Sequence, residues 1–150
     1  QQRWTDNRLA FSLFALGRLS LAGESDIALA SFLQANSIYN ARPGTRLQGA
    51  HVAMQLAAFA LSSGQTDAAI KLVDDSLGTV ADAENAALLA TLLMIKSEAL
   101  TLQGRTTEAR SVRLDSLGWA RYGFGSEKAV RQRLREITAL SSRVRKARPS

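Results

Sequence analysis

The chain has 150 residues, 46% of them hydrophobic and 21% charged, which fits one folded domain with a core of its own rather than a disordered segment. It has no cysteine and a single histidine, His51, so disulfides, thiolate chemistry and multi-histidine metal sites are excluded, and the scattered carboxylates show no calcium-loop spacing. The formal charge of +6 is concentrated: residues 126–150 hold 8 Lys and Arg against 2 Asp and Glu, while the rest of the chain is balanced.

The sequence starts at Gln1 without a basic-then-apolar leader, which reads as a processed end or a cut from a longer chain. The first element is the helical run "RLAFSLFALGRLSLA", and it stops at the corner "GESDIA", Gly23 to Ala28. Two further apolar helical runs end at equivalent corners, "GQTDAA" at Gly64 to Ala69 and "GRTTEA" at Gly104 to Ala109, spaced by 41 and 40 residues. Glycine suits the end of a helix because it adopts a left-handed backbone at little cost. Ser25, Thr66 and Thr106 follow as candidate caps for the next helix.

The second helix of each pair carries small residues five and twelve positions beyond the glycine: Ala28 and Ala35, Ala69 and Ser76, Ala109 and Ser116. Small side chains seven apart share a face and let a paired helix approach closely. Phe32 and Val73 fill the space between them in the first two copies, whereas the third has Arg113.

Between the pairs, "NARPGTR" joins Pro43 and Gly44, which stop a helix, to Thr45 as a cap, and "GTVADAEN" is expected to do the same with Gly78 and Asp82. The longest apolar run, "AALLATLLMI" at Ala86 to Ile95, is too short for a bilayer span and reads as a buried helix. After "GWARYGFG", whose rings are expected to plug the gap beyond the third pair, Ser126 opens a last helix. Val130, Leu134, Ile137 and Val144 form its apolar stripe, with Leu140 alongside. Such a helix suits a terminal cap with a polar outer face. The expected total is seven helices and no strand, with hairpins over about 7–40, 45–78 and 82–121 and a capping helix over about 126–147, all in one domain.

The corner glycine, the small residue five later, the large apolar residue after it and the second small residue resemble the tetratricopeptide repeat. The first copy matches best, through Gly23, Ala28, Phe32 and Ala35. The spacing is longer than the family's usual 34, and the family's tryptophan and tyrosine positions are absent. The resemblance implies an all-α right-handed superhelix of αα-hairpins and a protein-interaction function. Its groove positions fall on Ala10, Leu13, Gly17 and Ser20, then His51, Met54, Ala58 and Leu61, then Thr91, Met94, Glu98 and Thr101. This near absence of charge implies an apolar wall suited to a partner helix or extended peptide rather than a carboxylate clamp. The plainer reading of Met54 and Met94 is core packing, that of His51 a structural or exposed residue, and that of Glu98 a solvated residue or the partner of a base.

The basic tail offers a second surface through Arg131, Arg135, Arg143 and Arg145, since arginine pairs with phosphate and could engage nucleic acid or an anionic membrane. No aromatic for base stacking and no nucleic-acid motif accompanies these charges, so a solvated capping face is the weightier reading. No nucleophile elbow, phosphate-binding loop or paired metal ligand is present, and Asp74 and Asp75, adjacent on a helix, point apart. The sequence therefore reads as a non-enzymatic interaction or scaffold module without cofactor or metal, binding a protein or peptide or its own copies. An anionic-polymer binder is the alternative, and an accessory domain of a larger enzyme is a third reading. For location, the reading leans to a bacterial periplasm or cell envelope, with the cytoplasm also compatible.

Overall fold

In the computed structural model the described residues are 9, 10, 13, 25–41, 43–80 and 85–147, and among them every regular element is helical. Six α-helices follow one another: α1 Ser25–Asn40, α2 Arg46–Ser62, α3 Thr66–Val80, α4 Ala86–Leu102, α5 Thr106–Gly123 and α6 Glu127–Ala147. A 3-10 turn at Pro43–Thr45 precedes α2. Residues 9, 10 and 13 are helical, but the rest of the expected first helix, with Gly17, Ser20 and the corner at Gly23, lies outside the described residues. The same holds for Asp82. No helix among the described residues is long and apolar enough to cross a membrane.

The chain divides into two compact units, Gln1–Leu56 and Ala57–Ser150, with the boundary inside α2. In the first unit, Ala28, Phe32, Ala35 and Tyr39 are buried along one face of α1, at steps of four, three and four. The helix ends before Pro43, and Thr45 Oγ1 donates to the Tyr39 carbonyl at 2.6 Å, tying the 3-10 turn back to the end of α1. Gly49 on α2 meets the same end: a Cβ there would strike the tip of the exposed Asn40 side chain, which would have to swing aside.

The second unit contains two of the corners, and they are built alike. Gly64 and Gly104 have φ of 78° and 79°. At the first, Gln65 N–H donates to the Ala60 carbonyl at 2.9 Å and Gly64 N–H to Leu61 at 3.1 Å; at the second, Arg105 donates to Leu100 and Gly104 to Thr101, both at 3.0 Å. Each pair of bonds is a Schellman motif, which consumes carbonyls that the helix end leaves unpaired. The repeated glycine is thus a repeated bonding pattern. Thr66 and Thr106, expected as caps, instead occupy the first helical position, and the residue before each helix is Gln65 or Arg105. Arg105 makes no side-chain cap bond. Ser126 does cap α6, accepting from Ala129 N–H at 3.1 Å.

The burial pattern of α1 recurs in α3 and α5. Ala69, Val73, Ser76 and Val80 are buried on α3, and Ala109, Ser116 and Ala120 on α5, with Arg113 at the remaining place. Tyr39, Val80 and Ala120 extend this burial spacing beyond the positions that the sequence singles out. Gly78, expected to end the second hairpin, lies inside α3, and nothing stands within 4 Å of where its Cβ would be.

The core helix of this unit is α4, buried from Leu88 to Ile95 and from Ser97 to Leu100. It packs against α3, α5 and α6. Lys96 Nζ donates to Asp74 Oδ1 on α3 at 2.7 Å, and Gln103 Nε2 donates to Thr66 Oγ1 and Asp67 Oδ1 at the start of that helix. The antiparallel pair of α4 and α5 is clasped at two levels, where Ser97 Oγ donates to the Ala109 carbonyl at 3.1 Å and Ser116 Oγ to the Ala90 carbonyl at 2.8 Å. At the far end Gly123 lies so close to Ala86 and Ala87 that a Cβ would collide with their backbone.

Candidate interaction surfaces

The groove positions of the second unit fall largely on α4. Thr91, Met94 and Glu98 are buried, as is Leu61 at the end of α2, while Ala58 is half-buried and Thr101 exposed. The helix packed across α4 near Glu98 is α6, whose Val130, Ile137, Ser141 and Val144 are buried. Leu134 and Leu140, read as part of this stripe, are half-buried. The gap of seven between Ile137 and Val144 is filled by Ser141, a hydroxyl that an apolar pattern passes over.

Ser141 is buried for a polar reason. Its Oγ donates to Glu98 Oε2 at 2.7 Å, and Thr138 Oγ1 lies 3.4 Å from Glu98 Oε1. Arg113 Nη1 on α5 approaches the same carboxylate at 3.8 Å. A carboxylate that is 5% exposed requires such donors, because an uncompensated buried charge is costly. Arg113 departs from Phe32 and Val73 for this reason: its neighbourhood holds an acid, and its side chain remains 43% exposed.

In the first unit His51, Met54 and Leu13 are half-buried, and Ala10 is fully buried. Burial lowers the His51 pKa below the usual imidazole value. The six residues singled out for a groove therefore fall into two sets: His51, Met54 and Leu13 reach solvent in part, while Leu61, Met94 and Glu98 do not.

Of the basic residues, Arg131 and Arg135 on α6 are exposed; Arg143 and Arg145 belong to the same helix, with side chains outside the described set. Between α5 and α6 lies an open cleft of ≈ 450 Å³ lined by Arg113, Leu134, Arg135, Thr138, Ala139 and Ser142. A neighbouring cleft of ≈ 190 Å³ between α4 and α5 shares Arg113 and adds Arg110. Arg113 thus stands between two concavities. Asp74 and Asp75 diverge as their adjacency requires, the first to Lys96 and the second to Lys71 at 3.1 Å. Among the described residues no three His, Asp or Glu side chains gather as a metal site.

The aromatic turn differs from expectation. Phe124 alone is tucked in, with the Arg133 guanidinium 5.7 Å from its ring centre, whereas Tyr122 is 84% and Trp119 40% exposed. The cause is that α5 continues to Gly123, so Trp119 and Tyr122 keep helical spacing and fall away from the buried face of Ala109, Ser116 and Ala120. Compared with protein-family models, with curated protein sequences and with solved structures, the chain matches none.

Proposed function

We propose that the chain is a tetratricopeptide-like helical hairpin repeat, winding as a right-handed superhelix, and that it serves as a non-enzymatic module that binds a helix or peptide of a partner protein. Two matching Schellman corners, the four-three-four burial of α1 and α3, and the burial of three of those four positions on α5 support the repeat. The observation that carries the function is the seating of α6 on α4. An amphipathic helix lies across the face of the groove positions, held by apolar side chains and by Ser141 on Glu98. A partner helix of the same character, with small hydroxyl residues among aliphatic ones, is the ligand this face suits.

The test is a labelled peptide of the α6 sequence, residues 127–147, titrated into the intact chain and into an Ile137→Asp variant whose own α6 is loosened. The proposal expects binding to the variant, little to the intact chain, and persistence of the complex at high salt. Failure of the variant to bind while it retains its helicity would sink the idea.

The arginines around the α5–α6 cleft favour a second reading, an anionic ligand held by Arg113 and Arg135. This reading predicts binding of a phosphate-rich polymer that weakens steeply with salt, whereas an apolar seat is insensitive to it.

A further inference from the structure

The outer face of α5 is unlike that of α3. Along the two helices the residues Asp-Ser-Leu-Gly recur, at Asp75 to Gly78 and at Asp115 to Gly118, so their outer faces can be compared position by position. On α3 the face is charged and neutralised: Asp75 pairs with Lys71 of the same helix and Asp74 with Lys96 of α4. On α5 the place of Asp74 is taken by Leu114, 64% exposed, and Tyr122 stands two turns further on. Asp115 and Arg121 are exposed as well, and neither has an ion-pair partner among the described residues.

These residues are symmetric about Gly118. Helical spacing places Leu114, Gly118 and Tyr122 on one ridge opposite the buried face, with Asp115 and Arg121 flanking it three residues to either side. The order apolar, acid, glycine, base, apolar is its own complement when a second copy runs antiparallel. Asp115 of one chain is then level with Arg121 of the other, and Leu114 with Tyr122. Each pairing occurs twice, as a two-fold interface requires. The Tyr122 phenol of one copy can donate to the Asp115 carboxylate of the other, and the Arg121 methylenes can cover Leu114. Gly118 sits at the crossing with nothing within 4 Å of its Cβ position, leaving room for close helix approach.

From this arrangement we infer that a second copy of the chain docks on the outer face of α5, forming a two-fold symmetric, antiparallel dimer centred on Gly118. The surface is distinct from the α4 face, and the inference does not depend on what that face binds. A single pair of crossed helices buries less than the roughly 1,200 Å² typical of stable interfaces, so the dimer dissociates on dilution.

Sedimentation equilibrium of the intact chain, from low micromolar to near-millimolar concentration, reads this directly, and the expected result is a monomer–dimer equilibrium. Leu114→Glu, Asp115→Arg and Arg121→Asp should each weaken it by at least about tenfold. All three positions are exposed, so thermal melting should remain that of the parent. Mixing Asp115→Arg with Arg121→Asp restores both opposite-charge pairs, and the mixture should associate at least about tenfold more tightly than either variant alone. A chain that stays monomeric throughout, a dimer indifferent to the three substitutions, or a mixture no tighter than its components each overturns the inference.

Discussion

The helices α3 and α5 start from the same corner and bury residues at the same steps, yet they differ at one buried position and across the whole outer face. Val73 is fully enclosed on α3. Its counterpart Arg113 reaches past the buried face toward Glu98 and stays partly in solvent. Ser76 returns its hydroxyl to Leu72 of its own helix, while Ser116 spends it on the Ala90 carbonyl of α4. Both helices keep their small residues because these set the distance to the next helix. The large one varies with what that neighbour presents.

Exchanging the large residues breaks the comparison most severely. Val73→Arg places an unpaired charge in an apolar site and should cost about 4 kcal/mol or more in chemical denaturation, whereas Arg113→Val should cost less, about 1–2 kcal/mol, because the 3.8 Å contact is long, Arg113 is 43% exposed and Ser141 still donates to Glu98. Gly123→Ala, which drives a methyl into the α4 backbone, should cost about 2–3 kcal/mol. The serines come next. Ser116→Ala removes a buried bond between helices and should cost about 1–2 kcal/mol, but Ser76→Ala should change stability by about 0.5 kcal/mol or less, since Leu72 keeps its helical bond. Equal losses for the two serines would show that the repeat positions are interchangeable after all.

The smallest effects are a gain and a slope. Gly78→Ala fills open space inside α3 and should stabilise by roughly 0.5–1 kcal/mol. Neither α3 nor α5 contains a histidine; the one histidine of the chain is His51 on α2, and it adds a slope to the stability below about pH 6.5. Its folded pKa is below the unfolded value near 6.5, so the unfolded chain takes up the proton first. Stability is complete above about pH 6.5 and falls as the pH drops toward the folded pKa. Melting His51→Gln across this range should remove the slope.

The sequence revealed those features that local stereochemistry dictates. A left-handed glycine followed by a new amphipathic run announces itself, and Gly64 and Gly104 are where the spacing places them. Ser126 also caps as expected. What escaped depends on neighbours. Ser141 falls outside an apolar stripe until Glu98 is seen opposite it, and Tyr122 reads as filler until α5 is found to run through it. The family resemblance puts Met94 and Glu98 on a groove wall; in the structure both are buried, and Ser141 of α6 bonds Glu98. The fourth buried positions, Tyr39, Val80 and Ala120, share a spacing but no residue type, so no composition rule collects them.

The Ser141–Glu98 bond, with Thr138 beside it, interrupts a seam built from Val130, Ile137 and Val144, and it therefore acts as a key. An oily seam tolerates sliding, since one methyl replaces another at little cost. A buried carboxylate does not, because moving α6 back or forward by one turn takes the hydroxyl away and leaves the charge facing whatever arrives. The helix is thereby fixed in one alignment along α4, and any visiting helix that hopes to replace it has to bring a hydrogen-bond donor to the same height.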